Sequence, residues 1–105
     1  MRFDVSTVLA NPGRKKLWSE LLDDVRERAE LADAYGFDGL WIGEHHFNAE
    51  GDDNLPNPVL LAADLAARTT RIRLGMGAVA LPSWHPIRLA EDLAMLDHFS
   101  NGRVD

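Results

Sequence analysis

Four histidines, seventeen aspartates and glutamates and no cysteine supply most of the reactive side chains of this 105-residue chain. Two of the histidines stand beside a glutamate at Glu44-His45-His46, with Phe47 following. An imidazole at such a place can donate or accept a proton near neutral pH or ligate a metal, and the carboxylate can orient or polarise it. A metal centre built from Glu44, one of the adjacent histidines and His85 is conceivable, because imidazole and carboxylate are ordinary zinc and iron ligands. The spacing argues against it: neighbouring histidines rarely face one metal, and neither the helical i,i+4 nor the extended i,i+2 pattern is present. No metal is expected. The lack of cysteine excludes a disulfide scaffold, a thiolate metal site and a cysteine nucleophile.

These residues need elements to hold them, and the chain predicts a regular alternation. Arg2 to Leu9 is rich in β-branched residues and ends at Asn11-Pro12-Gly13, which reads as strand one and a turn. From Leu17 the apolar positions Leu21, Leu22, Val25, Ala29, Ala32 and Tyr35 follow helical spacing, and Gly36 supplies a stop. Asp38 to Ile42 reads as a short buried strand. Asn57-Pro58 starts a second helix, with a side-chain cap and proline in the first turn. That helix, through Ala66, is apolar on more than one side, so it is expected to bury one face on the sheet and another elsewhere, on a partner subunit for example. Strand three begins near Arg71 and runs to Leu81 as a nearly continuous apolar stretch, the pattern of a strand covered on both faces. His85-Pro86 begins a third helix that Asn101-Gly102 ends.

Strand and helix in alternation, with short connections, imply a parallel sheet with right-handed crossovers. No glycine-rich phosphate loop follows strand one, which favours a barrel over a dinucleotide-binding open sheet. In either architecture ligands sit at the carboxyl ends of the strands, and Glu44, His45 and His46 lie directly beyond Ile42. Other candidates have plainer readings. Gly75, Gly77 and Ala78 read as a tight interior, with ligand clearance as the alternative. Trp41 and Trp84 read as packing, His98 as a cation at a helix carboxyl end, and Asp23-Asp24 and Asp52-Asp53 as solvated faces.

The whole chain, residues 1–105, reads as one domain. At 46% hydrophobic and 27% charged it has a globular composition. Its net charge of -6, with eleven scattered Lys and Arg, argues against nucleic acid as a partner. No apolar run suits a signal peptide or a membrane span, so a cytoplasmic location is expected.

The stretch Gly36-Phe37-Asp38-Gly39-Leu40-Trp41-Ile42-Gly43-Glu44-His45-His46-Phe47 resembles bacterial luciferase and the luciferase-like, flavin-dependent monooxygenases. Asn57-Pro58, Arg71-Ile72-Arg73-Leu74-Gly75, Leu81-Pro82, His85-Pro86-Ile87-Arg88-Leu89-Ala90-Glu91-Asp92 and Ser100-Asn101-Gly102-Arg103 continue the likeness in the same order. Only Asn11 to Trp18 carries no specific support. The resemblance implies a TIM (β/α)8 barrel, of which this chain would be three βα units and the start of strand four at Arg103-Val104-Asp105. It implies reduced FMN, supplied by a separate flavin reductase, which reacts with O2 to a C4a-peroxide and oxidises an aldehyde or other small organic substrate. His45 would be the catalytic acid or base and Glu44 would line the flavin site. Gly77-Ala78 matches the place of a non-prolyl cis peptide beneath the flavin ring. Helices two and three would form a homodimer contact.

A closed barrel of this kind needs about 250 residues, so the chain is expected to be an incomplete barrel that binds FMN poorly alone and self-associates through open strand edges. Two alternatives stay open: an oxidoreductase of the same fold using F420, and a non-catalytic partner subunit or truncated gene product.

Overall fold

A computed structural model describes residues 1–105. Its elements are β1 (Asp4–Thr7), α1 (Trp18–Ala34), β2 (Gly39–Ile42), α2 (Pro58–Ala66), β3 (Arg73–Met76) and α3 (Pro86–Ser100), with single tight turns at Pro12–Arg14 and Leu81–Ser83. The sheet is parallel in the order β1-β2-β3, and a parallel bridge from Leu74 to Val104 adds the start of a further strand beside β3. Three strand-helix units and the edge of a fourth strand are therefore present.

Each boundary has a local cause. At the end of α1, Gly36 takes φ +86°. There Phe37 N–H reaches Ala32 O at 3.0 Å and Gly36 N–H reaches Asp33 O at 3.3 Å, so the last carbonyls are satisfied. Asn57 caps α2 by accepting from Leu60 N–H at 2.8 Å, with Pro58 next, as the sequence leads one to expect. Asn101 in left-handed conformation closes α3, with His98 in its last turn.

The strands are shorter than their composition suggests. β1 pairs only over Asp4–Thr7 and β3 only over Arg73–Met76, because β2 between them has four residues. Past the four paired residues the β2–β3 ladder continues only as Gly77 N–H to Ile42 O at 2.8 Å. The core lies on the helical side of the sheet, where Leu9, Leu40, Ile42, Ile72 and Leu74 meet Val25, Ala29, Leu61, Ala62, Leu65 and Leu96. On the other face Trp41 lies across Gly75, where a Cβ would come within 2.5 Å of the indole, and its Nε1–H donates to Asp4 Oδ2 at 2.9 Å. The tight-interior reading of Gly75 holds for that reason.

The turn from α2 into β3 is clamped by two charges. The Asp33 carboxylate accepts from the N–H groups of Thr70 (2.8 Å), Arg71 (2.9 Å) and Ile72 (2.7 Å). The Arg103 guanidinium donates to the carbonyls of Ala66 (3.0 Å), Thr69 (3.1 Å) and Ile72 (2.8 Å). Burial pulls Arg103 below the ordinary arginine range, with the charge of Asp33 acting in the opposite sense. Asp33→Ala strands several main-chain donors, and we expect a loss of about 2–3 kcal/mol in urea unfolding.

At the amino-terminal end of the sheet, hydrogen bonds from Arg73 and then Arg2 hold the Asp105 carboxyl at about 2, against an ordinary 3.8. Because its pKa is lowered by folding, its contribution to stability is complete above 3.8 and is lost as pH falls to about 2. An acid titration of thermal stability should show a step in that window, absent in Asp105→Asn.

Candidate active site

The loop from Gly43 to Asn57 leaves β2 at its carboxyl end and is fixed by its own main chain. His45 N–H donates to Leu55 O at 2.9 Å, which closes the loop on itself. Asn48 Oδ1 accepts from Glu50 N–H at 2.9 Å and Gly51 N–H at 3.0 Å, forming a tight turn at the tip. Gly51 O in turn accepts Asn11 N–H at 2.6 Å, joining this loop to the one after β1.

Glu44 is the most constrained residue of the site, with 1% of its side chain exposed. One carboxylate oxygen meets His46 Nε2 at 2.7 Å and the Ser83 hydroxyl at 3.0 Å. The other accepts from Ala80 N–H at 2.8 Å and Trp84 Nε1–H at 2.9 Å. Burial, the largest influence, pushes this carboxyl up. The hydrogen bonds from His46, Ala80, Trp84 and Ser83 together outweigh it, and its pKa lies below the ordinary 4.5. Glu44 therefore stays ionised at neutral pH and ties the β2 loop to the segment after β3. Its partner is His46 rather than His45. Trp84 does more than pack, since its indole N–H is one of the bonds that satisfy the buried charge.

His45 is turned elsewhere. Its side chain is 55% exposed, and Nε2 lies 3.0 Å from Asp53 Oδ2. A Cβ on Gly43 would fall 3.2 Å from that nitrogen, so Gly43 makes room for the ring. The same imagined Cβ would lie 3.8 Å from Gly77 O, which places the imidazole beside the segment leaving β3. Asp53 departs from the sequence reading: its side chain is only 16% exposed, so it is no solvated face. Asp52, its neighbour, is exposed as expected. Sequence spacing could not pair Asp53 with His45, because eight positions of irregular loop separate them.

Gly77 and Ala78 are joined by a cis peptide bond. A Cβ on Gly77 would meet Trp41 at 3.4 Å, an ordinary contact, so unlike Gly75 its small size is not required by packing. Phe47, with φ +55°, is 98% exposed at the rim. No group of three or more His, Asp or Glu side chains is gathered as metal ligands, and no helix is long and apolar enough to cross a membrane. The arrangement offers one accessible imidazole, beside a surface of small residues, with an ionised carboxylate locked behind it. It suits proton transfer at the edge of a ligand lying across the carboxyl ends of β2 and β3.

A family model described as luciferase-like monooxygenase matches residues 1–105. The oxygenase component of a flavin-dependent trigonelline monooxygenase from Acinetobacter baylyi is 42% identical over 105 residues, all of this chain and 29% of that protein. The structure superposes on the monooxygenase RslO1 of Streptomyces bottropensis with a TM-score of 0.89 at 39% identity, covering 100% of this chain and 32% of the other. It also matches the oxygenating constituent of 3,6-diketocamphane monooxygenase from Pseudomonas putida, a type II Baeyer-Villiger enzyme in complex with FMN. That match has a TM-score of 0.87 at 29% identity and covers 99% of this chain and 28% of the other. The chain thus spans about a third or less of the proteins it matches.

Glu44→Gln removes the charge and turns one carboxylate oxygen, the acceptor of two of the four hydrogen bonds, into a donor. We expect a loss of about 2–4 kcal/mol and a change in Trp84 emission in denaturant titrations. The lowered pKa makes the wild-type contribution complete above 4.5 and lost as pH falls through the folded value. Glu44→Gln should flatten that acid limb.

Proposed function

The chain belongs to the luciferase-like monooxygenase family, and on that premise we propose that it is the flavin-facing part of a TIM-barrel monooxygenase. Such an enzyme would use reduced FMN and O2 to oxidise an aldehyde or other small organic molecule. The observation that carries this reading is the His45 imidazole, set over Gly43 and beside Gly77-Ala78 at the carboxyl ends of two adjacent parallel strands.

The residues present fit one face of a flavin. Packing requires a glycine at Gly75 but not at Gly77, where a Cβ would rest in ordinary contact with Trp41, and this favours the ligand-clearance reading of Gly77-Ala78. Arg73 and Arg103 do not serve a phosphate here: both lie toward the amino-terminal end of the strands, Arg73 bound to Asp105 and Arg103 to main-chain carbonyls. When bound, reduced FMN supplies the electrons that activate O2. His45 would hold or deliver the proton that the oxidation requires, at a ring nitrogen facing the ligand. Glu44 supports this from behind, keeping the Ala80–Trp84 segment against the β2 loop and thus closing one wall to water. FMN is favoured over F420 by the FMN complex of a relative at 29% identity. A separate flavin reductase as partner is favoured by the relative described as an oxygenase component.

A homodimer through α2 and α3 belongs to the same proposal. Leu60, Met95 and Phe99 stand exposed on this helix pair and flank an apolar hollow of about 190 Å³. Sedimentation of the complete protein should give a dimer at micromolar concentration that Leu60→Glu dissociates; a monomeric wild type would sink this part.

For the chemistry, His45→Ala in the complete protein should lower substrate oxidation about a hundredfold while FMN affinity stays unchanged. Unaltered turnover would remove His45 from the reaction.

A further inference from the structure

Among the side chains around the site, Asp53 has no role in the reading above, yet its placement is unusual. Its carboxylate is mostly buried, and Oδ1 is enclosed without any hydrogen-bond donor from the chain. A buried carboxylate normally collects main-chain N–H groups or a guanidinium, as Asp33 and Glu44 do here. Asp53 has only His45, with Oδ2 at 3.0 Å from Nε2. The loop enforces the encounter. His45 N–H to Leu55 O places residues 45 and 55 side by side, and the Asn48 turn returns the chain so that Asp53 arrives over the ring. Packing alone does not account for a charge enclosed with one oxygen unpartnered, whereas a carboxylate dedicated to one imidazole does.

We propose that Asp53 is a positioning residue for His45: its carboxylate, 3.0 Å from Nε2, favours the proton at that nitrogen and keeps the ring turned over Gly43. This rests on His45 being the working imidazole. The logic is that of any carboxylate-oriented histidine, where the bond at one ring nitrogen decides which tautomer the other presents. Asp53 would touch neither flavin nor substrate, so its effect should pass entirely through His45.

The test begins with the ring-nitrogen NMR signals of His45, identified by their loss in His45→Ala, at a pH where the ring is neutral. The wild type should carry its proton on Nε2, with Nδ1 bare. Asp53→Asn, whose amide oxygen still accepts, should keep that tautomer, and Asp53→Ala should show a mixture. A mixture in the wild type, or an unchanged single tautomer in Asp53→Ala, overturns the proposal. The second measurement is decanal oxidation with photoreduced FMN and O2. In the complete protein Asp53→Ala should lower kcat about tenfold at unchanged FMN affinity, Asp53→Asn should retain most of the turnover, and Asp53→Ala should add nothing in the His45→Ala background. Full turnover in Asp53→Ala, or additive losses in the double variant, would also overturn it. If His45→Ala retains full turnover while the tautomer shift is seen, the catalytic reading of His45 fails and the pairing stands.

Discussion

A carboxylate enclosed to 1% exposure can remain charged only if every oxygen lone pair finds a donor, and Glu44 meets that condition with His46, Ala80, Ser83 and Trp84. Three of these partners lie between Ala80 and Trp84, on the far side of β3, so the charge cannot be satisfied unless the β2 loop and the segment after β3 stand at one fixed separation. That requirement sets the wall of the site. It also frees His45, since the neighbouring imidazole, His46, is consumed by the carboxylate. Two adjacent histidines thereby acquire different duties, one inside a hydrogen-bond network and one half in solvent beside Gly77.

The same principle recurs wherever this small parallel sheet must turn. Asp33 and Arg103 divide the α2–β3 turn between them, the acid taking N–H groups and the guanidinium taking carbonyls. Neither charge forms a direct ion pair with the other, and each is neutralised through peptide dipoles. Such an arrangement is direction-specific in a way that apolar packing is not, and it explains how four-residue strands keep their register. Trp41 extends the arrangement to the other face, its indole held by Asp4 on β1 and seated in the space that Gly75 leaves on β3.

Against this background Asp53 stands apart, because it is a buried acid that the main chain does not satisfy. Structural carboxylates in this protein are saturated with donors. One that faces a single exposed imidazole, inside a closed loop, is better understood through what it does to that imidazole. On the proposal made here the site has two layers: Glu44 and its four donors as a rigid wall, and His45, turned by Asp53, as the part that would meet a ligand.

Much of this was legible in residue order alone, and for definite reasons. Helical periodicity, the Asn57-Pro58 cap, the glycine stop at Gly36 and the end of α3 at Asn101 are decided by interactions within a few residues, so they can be read without a fold. The alternation of strands and helices then dictates a parallel sheet, and a parallel sheet dictates that Glu44, His45 and His46 emerge at its carboxyl end. Strand lengths were less legible, since a strand extends only as far as its neighbour offers hydrogen bonds, and β2 offers four residues. Which histidine belongs to which acid was decided only in three dimensions. Glu44 passes over its immediate neighbour for His46 and for donors thirty-six to forty positions away, while Asp53, written as half of an ordinary acidic pair, is carried by the closure of its loop onto His45. Local rules place residues on elements. Long-range satisfaction of buried charge decides their partners.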